Sequence, residues 1–295
     1  MLAPICLFTY NRVEETKKTV SALQANFLAK DSDLIIFSDA AKNEKSQFLV
    51  DEVREYIKTI GGFKSLKIIQ AEKNKGLANS IIDGVTLIIN EYGRVIVLED
   101  DLITSRNFLD FMNQALDFYE QNESIYSIAG YTPSIKKWRQ DVYHTKRASS
   151  WGWGTWKYQW GGINWDVNSL RDVISDKTFP QNFNKMGSDM AKMLNDQVQG
   201  KINSWAIRWC LHQFLSDKYS VYPTISKVIN IGTSSSATHT KDRFNRFYTE
   251  IDSGENRMFD FNVLVKLDKF YLKQFLKQFS IYTRVKYKVL NFLVR

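Results

Sequence analysis

Hydrophobic and polar positions alternate along the first half of the chain in blocks that predict strands and helices in turn. Short apolar runs, typical of buried strands, cover residues 3–9, 34–37, 66–69, 94–98 and 125–129. Between these runs, apolar residues recur at helical spacing, which predicts helices near residues 13–27, 48–60, 77–90 and 108–119. This alternation predicts an α/β fold with a mostly parallel central sheet that is flanked by helices.

The second half of the chain has a different pattern. It contains, in order, a Trp-rich stretch at 138–165, helical patterns at 188–199 and 204–218, a strand-like run at 221–231 and a polar stretch at 240–262. The last of these is aperiodic, so we expect a loop there. No internal repeat or linker divides the chain.

Polar side chains follow four of the predicted strands. They are Thr9, Asn11 and Arg12 after the first, Ser38 and Asp39 after the second, Asn74, Lys75 and Gly76 after the third, and Glu99, Asp100 and Asp101 after the fourth. In parallel sheets, ligands gather at the carboxyl ends of the strands. We therefore expect these four clusters to meet at one edge of the sheet.

The triplet Glu99-Asp100-Asp101 comes directly after the apolar run 94–98. Adjacent carboxylates repel one another, and a hard divalent cation such as Mg²⁺ or Mn²⁺ removes that cost. The alternative is a solvated acidic turn that caps the next helix. The position immediately after a buried strand favours the metal site.

The other clusters each have a binding role and a plain structural alternative. Asp39 could accept a hydrogen bond from a base or a ribose hydroxyl, or it could cap a helix. Asn74 and Lys75, followed by Gly76, suit a diphosphate ahead of a helix, or they form an ordinary turn. Arg12 could contact a phosphate or lie on the solvated surface.

The positive charge is concentrated at the end of the chain. The 295 residues carry a net charge of +8, but residues 264–295 alone hold eight basic side chains and one acid, Asp268, and so carry +7. A general nucleic-acid binder would carry its charge on the folded body, so we expect no nucleic-acid partner.

Compartment signals are few. The two cysteines, Cys6 and Cys210, cannot form a disulfide framework. No apolar run approaches the ~18 residues of a membrane span, and residues 1–12 lack the pattern of a signal peptide. We therefore expect a cytoplasmic protein.

The motifs taken in order resemble a known family. The series Thr9-Tyr10-Asn11-Arg12, Ser38-Asp39, Asn74-Lys75-Gly76-Leu77-Ala78 and Leu98-Glu99-Asp100-Asp101 is similar to that of nucleotide-sugar-dependent glycosyltransferases of the GT-A (Rossmann-like) fold. The likeness is to bacterial polysaccharide enzymes and, more distantly, to N-acetylglucosaminyltransferase I, whose metal motif is also Glu-Asp-Asp. Later segments that resemble the family are residues 124–132, 150–156, 204–209 and 222–232.

The resemblance implies a metal-dependent, inverting transfer of a sugar from a nucleoside diphosphate sugar, UDP-linked, to a hydroxyl of a saccharide or lipid-linked saccharide. Its implied residues are Thr9, Asn11, Arg12 and Asp39 for base and ribose, Asn74 and Lys75 for ribose or diphosphate, Glu99 and Asp100 for ribose or the metal's surroundings, and Asp101 with His239 for the metal. A surface-loop role for His239 stays open. The cofactor implied is Mn²⁺ or Mg²⁺, and the role implied is surface polysaccharide synthesis.

The same resemblance divides the chain. It implies a catalytic domain over residues 1–262, with a nucleotide-sugar-binding half at 1–130 and an acceptor half at 131–262. A basic amphipathic tail follows at 263–295. Its lysines are interleaved with aromatic and aliphatic side chains, which favours a tail that lies peripherally on an anionic cytoplasmic membrane surface; the alternative is a terminal helix that docks on the body.

One departure concerns the catalytic base. Inverting members need a carboxylate that deprotonates the acceptor, and the family often carries Asp where this chain has Asn203-Ser204. Asp196 is a candidate substitute and Asp166 another, or the enzyme is impaired. Trp151 and Trp153 could stack on a sugar or pack in the core.

Two rival functions stay open at this point. A nucleotidyltransferase pairs a similar sheet with metal-binding acids but needs a glycine-rich phosphate loop near the N-terminus, and residues 9–12 contain no glycine. A non-catalytic carbohydrate-binding protein would explain the missing carboxylate.

Overall fold

The computed structural model describes residues 1–136, 140–232, 244–262 and 264–293. The strands are β1 (Ile5–Thr9), β2 (Asp33–Ser38), β3 (Ser65–Gln70), β4 (Arg94–Glu99), β5 (Leu102–Thr104), β6 (Ile125–Ala129), β7 (Val142–Thr145), β8 (Trp153–Trp156), β9 (Tyr219–Pro223) and β10 (Val228–Asn230).

The helices of the described residues follow the same chain order. They are α1 (Val13–Gln24), α2 (Glu44–Ile57), α3 (Gly76–Tyr92), α4 (Phe108–Phe118), α5 (Lys157–Trp160), α6 (Arg171–Ile174), α7 (Phe179–Phe183), α8 (Met190–Val198), α9 (Trp205–Leu215), α10 (Lys269–Lys277) and α11 (Ile281–Leu293). Short 3₁₀ turns cover Ala29–Asp31, Val167–Leu170 and Asn184–Met186.

Within the described ranges, a central sheet of eight strands has the order β3-β2-β1-β4-β8-β6-β9-β7. The first four strands of this order run parallel to one another, β8 runs antiparallel to both β4 and β6, and β7 runs antiparallel to β9. Strands β5 and β10 form a separate antiparallel pair. The predicted α/β fold with a mostly parallel sheet flanked by helices is confirmed.

The core lies on both faces of this sheet. One face packs against α1, α2 and α4, and the other against α3 and α9. Helix α3 approaches β1 closely because Gly84 has no side chain: a Cβ there would come within 2.7 Å of the Phe8 ring. This close packing sets the start of α3 beside the ends of β1 and β2.

Part of the Trp-rich stretch forms the buried strand β8 instead of a sugar-binding surface. Trp153 is 1% exposed, and its ring lies 4.1 Å from that of Trp209 and 5.2 Å from that of Trp205. Aromatic rings at such separations are typical of packed cores. Trp153 therefore belongs to the core and offers no face to a sugar, whereas Trp151 is half-buried.

The C-terminal segment docks on the body through α10. Tyr271 and Phe275 are buried against Tyr143 and Tyr222, with the Tyr143 and Tyr271 rings stacked at 5.1 Å. The side-chain amide of Asn291 on α11 accepts a hydrogen bond from the N–H of Phe244 at 2.8 Å and donates one to the Phe244 carbonyl at 3.0 Å. Docking of the tail, one of the two alternatives left open above, thus holds for these residues.

None of the helices in the described ranges combines the length and apolarity needed to cross a membrane.

Candidate active site

A cavity of about 1140 Å³ opens at the carboxyl ends of the parallel strands. Lining residues from the strand ends and the start of α3 include Phe8, Thr9, Tyr10, Asn11, Arg12, Phe37, Asp39, Asn74, Gly76, Glu99, Asp100 and Asp101. Lining residues from later in the chain include Trp151, Asn230, Gly232, Phe244, Asn245, Arg246, Phe247, Arg284, Tyr287, Lys288 and Asn291. The cavity is therefore built from both halves of the chain and from the tail.

Arg12 holds two of the three adjacent acids together. Its Nη2 donates to Oδ2 of Asp101 at 3.0 Å and also donates to Asp100. The backbone N–H of Tyr10 donates to Asp100 as well, at 3.4 Å. Since β1 and β4 are parallel neighbours, the residues that follow them come together without any long excursion of the chain.

Negative charge is in excess at this point. Burial, together with Asp101 and Asp100, raises the pKa of Glu99 to about 8. Burial likewise raises the pKa of Asp100 to about 6, although Arg12 opposes the shift. A single guanidinium thus leaves the three carboxyl groups incompletely compensated, and a further cation would relieve their repulsion.

Asp101 is also held from the other side. Asn230 Nδ2 donates to its Oδ1 at 3.2 Å, and the N–H of Ile231 donates to its main-chain carbonyl at 2.8 Å. The antiparallel pairing of β10 with β5, in which Asn230 lies opposite Leu102, brings this segment to the cavity. Gly232 follows, with its Cα facing the carboxylate.

Asp39 organises the loop ahead of α3. Its carboxylate accepts hydrogen bonds from the N–H groups of Ala40, Lys75 and Gly76, each at 2.9 Å, and from Asn74 Nδ2 at 3.0 Å. Asn74 Nδ2 also donates to the carbonyl of Ala40, at 2.7 Å. The loop and the first turn of α3 are therefore fixed against the end of β2.

An aromatic group lies on the other part of the wall. The Trp151 ring contacts the Phe247 ring edge-on, with centroids 5.4 Å apart, and the Tyr131 ring edge-on at 4.7 Å. The Tyr131 hydroxyl donates to the carbonyl of Phe247 at 3.1 Å. These contacts fix a half-buried indole in the cavity.

The structure brings most of the predicted site residues together. Thr9, Asn11, Arg12, Asp39, Asn74, Glu99, Asp100 and Asp101 all line the cavity. Lys75 does not, because its Nζ donates to Asp83 at 2.7 Å on the outer side of α3. His239 lies outside the described residues.

Neither candidate base reaches the cavity. Asp196 pairs with Lys192 one turn earlier on α8, and Asp166 accepts from the N–H of Asn168 at the start of a 3₁₀ turn. Both are absent from the described lining of the cavity. Their positions outside the cavity therefore do not support either residue as the catalytic base.

Other residues of the cavity were not anticipated individually. Asn230 and Gly232 fall in a segment noted for its family likeness, so a signal for them existed. Arg246 and Phe247 fall in an aperiodic stretch, and Arg284 in the tail, where no local pattern indicates that the chain returns to the site.

The carboxylates suit a metal only with help from a ligand. In the part of the chain that the structure describes, no three His, Cys, Asp or Glu side chains are grouped to hold an ion by themselves. Mg²⁺, however, typically takes one or two protein carboxylates and completes its coordination with substrate phosphates. The excess of acid around Asp100 and Asp101 fits a site of that kind.

Comparisons with known proteins bear on the fold. No protein-family model matches the chain, and the curated proteins contain no match. Among solved structures, it is similar to the mannosyltransferase PcManGT from Pyrobaculum calidifontis in complex with GDP-Man and Mn²⁺, with a TM-score of 0.41, 7% identity and coverage of 74% of this chain and 70% of that one.

Two further structures are similar at the same level. TarS 1–349 from S. aureus gives a TM-score of 0.40 at 10% identity, over 79% of this chain and 61%, less than two thirds, of that one. A UDP-glucose pyrophosphorylase complexed with UDP-glucose gives a TM-score of 0.36 at 14% identity, with coverage of 76% of this chain and 91% of that one. Similarity at this level assigns no activity to this chain, so the function has to be argued from the site.

Proposed function

We propose that this protein is a metal-dependent glycosyltransferase that moves a sugar from a nucleoside diphosphate sugar to a hydroxyl acceptor. One observation carries the proposal: the residues that follow the parallel strands β1, β2 and β4, including Asp39 and Asp101, line a single cavity that also contains the indole of Trp151. Acids and amides suit the donor, and an aromatic face suits a sugar ring.

The donor occupies the part of the cavity at the strand ends. Asp101, with Asp100 beside it, holds Mn²⁺ or Mg²⁺, and the bound cation supplies neutralisation of the charge that develops on the departing diphosphate. Arg12 adds a fixed positive charge at the same place. Thr9 and Asn11 lie beside the base and ribose, and the loop held by Asp39 presents Asn74.

The acceptor enters on the side of Trp151. In this division, residues 1–130 bind the donor, residues 131–262 bind the acceptor, and the tail at 263–295 adds part of the wall. The anomeric centre inverts, with positive charge on the sugar ring in the transition state. The base remains unassigned, because Asp196, the candidate taken from the sequence, does not line the cavity.

The proposal extends to specificity and location. The donor is UDP-linked, the transferred group is a hexose or N-acetylhexosamine, and the product belongs to a surface polysaccharide. The enzyme acts in the cytoplasm at the membrane face. Support for the location comes from α11, where Ile281 and Val285 are 67% and 54% exposed among basic side chains. A basic amphipathic helix with an exposed apolar face binds anionic membranes.

The test is incubation of the full chain with UDP-sugars and GDP-sugars in the presence of Mn²⁺ and saccharide acceptors. Release of nucleoside diphosphate supports glycosyl transfer. Release of pyrophosphate from a sugar phosphate and nucleoside triphosphate supports the nucleotidyltransferase instead, and carbohydrate binding without turnover supports the non-catalytic alternative.

A pair of variants sharpens the test. Asp101→Asn keeps the size of the side chain and should lower turnover at least about a hundredfold, because it removes the charge that holds the cation. Asp51→Asn is the matched control, since Asp51 is exposed on α2 and bonds Gln47. Normal turnover in the Asp101 variant would refute the metal site.

A further inference from the structure

Three arginines, Arg147, Arg246 and Arg284, lie near one another, and two of them line the part of the cavity that the donor does not explain. Arg147 forms a two-pronged pair with Asp189, with N–O distances of 2.8 and 3.1 Å. Arg284 of α11 donates to the carbonyl and to the hydroxyl of Ser188, each at 3.0 Å. Both arginines are therefore anchored to the same short segment, residues 188–189.

Arg246 lies in the same group but has no such anchor. Its guanidinium lies 4.4 Å from the ring centre of Phe247, and no hydrogen bond or ion pair joins it to a residue in the described ranges. Burial lowers the pKa of Arg246, and the charges of Arg284 and Arg147 lower it further against the opposing effect of Asp189. The single carboxylate of Asp189 thus offsets the charges of both Arg147 and Arg246.

The excess charge faces the cavity. Arg246 and Arg284 both line it, whereas Arg147 is committed to Asp189. Phe247, next to Arg246, is fixed against Trp151 and Tyr131 by the ring contacts and hydrogen bond described above. Arg246 therefore lies beside the aromatic group on the acceptor side, and Arg284, held by Ser188, lines the same cavity. The donor side has its own cation in Arg12.

We propose that Arg246 and Arg284 bind a phosphate group carried by the acceptor. This inference rests on the proposed glycosyltransferase function and deepens it, since it makes the acceptor a phosphorylated saccharide or a saccharide joined to lipid through phosphate. Guanidinium groups match the geometry of phosphate oxygens and form charge-assisted hydrogen bonds with them. A sugar stacked on Trp151 would place such a group within the same part of the cavity.

The test is a titration of glycerol 3-phosphate into the full chain saturated with UDP and Mn²⁺, which fills the donor's diphosphate site. Calorimetry should detect binding that glycerol, the matched neutral probe, does not give. Arg246→Gln and Arg284→Gln should each weaken the affinity about tenfold, the effect of one lost charge-assisted hydrogen bond. Arg171→Gln, at an exposed arginine outside the cavity, should leave it unchanged.

Separate measurements keep the conclusions apart. UDP and GDP binding is measured first; if neither binds, the proposed function fails. If UDP binds but glycerol 3-phosphate binds equally to wild type and both variants, or not at all, only the acceptor inference is overturned. Loss of UDP affinity in the variants would also overturn it, by assigning the arginines to the donor. Arg246→Lys, which keeps the charge, should recover part of the affinity and guards against a folding defect.

Vesicles tell the source of the phosphate. The protein is tested for retention on vesicles of phosphatidic acid and of phosphatidylcholine. If it is retained more on phosphatidic acid, and Arg246→Gln lowers this retention, the phosphate is carried by a lipid. Retention that is insensitive to Arg246→Gln, together with arginine-dependent binding of soluble glycerol 3-phosphate, would support a soluble phosphorylated acceptor.

Discussion

Gly232 lies against Asp101 so closely that a Cβ at position 232 would come within 2.1 Å of the Asp101 Oδ2 atom. The carboxylate cannot yield freely, because Arg12 and Asn230 hold it by hydrogen bonds. Gly232→Ala should therefore displace Asp101 and lower the affinity for Mn²⁺ and the turnover by about 10- to 100-fold, the usual effect of disturbing groups around a metal ligand. Titration of Mn²⁺ against activity measures both.

A matched glycine serves as the control for this change. Gly61 has open space within 4 Å of a Cβ position and no positive φ, so Gly61→Ala should leave Mn²⁺ dependence unchanged. If Gly232→Ala behaves like Gly61→Ala, the position of Asp101 has no bearing on metal use.

The four hydrogen bonds to Asp39 predict a structural and a binding defect. In the wild type, both oxygens of the Asp39 carboxylate accept hydrogen bonds from N–H groups. In Asp39→Asn an NH₂ group replaces one oxygen and cannot accept these bonds, so the free energy of unfolding should fall by about 3 kcal/mol. Since the loop that carries Asn74 loses its anchor, nucleotide affinity should fall as well. Urea denaturation measures the first effect and calorimetry with UDP the second.

Asp51→Asn is again the comparison, because Asp51 is exposed and should change stability by less than about 0.5 kcal/mol. Equal stabilities of the two variants would show that Asp39 does not organise the loop. A stability loss in Asp39→Asn with unchanged UDP affinity would separate its structural role from donor binding.

The first half of the fold could be predicted because β1, β2 and β4 are largely buried and each reads as one apolar run, whereas the edge strand β3 is partly exposed. Residues 125–129 were predicted and observed as β6 with the same bounds, and residues 94–98 as β4 with one residue more. The polar residues at the strand ends followed from the same rule, since parallel strands end on one edge. This is why the sequence predicts that Asp39 and Asp101 lie at the same edge of the sheet.

The helices predicted at 188–199 and 204–218 are observed as α8 and α9, but the strands of the second half could not be predicted because they depend on distant partners. The run at 221–231 is continuous in sequence, yet its two ends, β9 and β10, pair in different sheets. Strand β8 lies within a Trp-rich stretch and inserts between β4 and β6. Arg246 and Arg284 reach the cavity only because the last helices fold back, and nothing near either residue in the sequence indicates that return.

His144 predicts a loss of stability in mild acid. It lies on β7, is 3% exposed, and its Nε2 has no partner among the described residues. Burial lowers the pKa of His144 to about 4, against about 6.5 in an unfolded chain. Between these two pH values, His144 takes up a proton in the unfolded chain but not in the folded one. The contribution of His144 to the free energy of unfolding is therefore complete above pH 6.5 and is lost as the pH falls toward 4.

The corresponding variant is His144→Gln. Urea denaturation at pH 7 and pH 5 should show that the wild type loses about 2 kcal/mol more than the variant over this interval. Other acids titrate in both proteins and cancel in the difference. An identical pH dependence of the two proteins would mean that His144 is protonated in the folded state as readily as in the unfolded chain.

Two exposed apolar residues of α11 are predicted to contact a membrane, and they are not among the residues of α11 that line the cavity. Ile281 and Val285 lie one turn apart on its exposed face and are absent from the described cavity lining. Basic residues flank them, Arg284 and Lys286 among them. Apolar burial and attraction to anionic lipid would therefore act on the same helix.

The double variant Ile281→Asp with Val285→Asp should lose retention on phosphatidylglycerol vesicles by at least about tenfold, because each apolar side chain contributes on the order of 1 kcal/mol and the new carboxylates are repelled by the lipid. Co-sedimentation measures the bound fraction. Leu264→Asp is the control, since Leu264 is 65% exposed but lies outside α11. Turnover with a soluble acceptor should be equal in the wild type, the double variant and Leu264→Asp. If Leu264→Asp reduces retention as much as the double variant does, or if neither variant reduces it, this face of α11 is not the membrane contact.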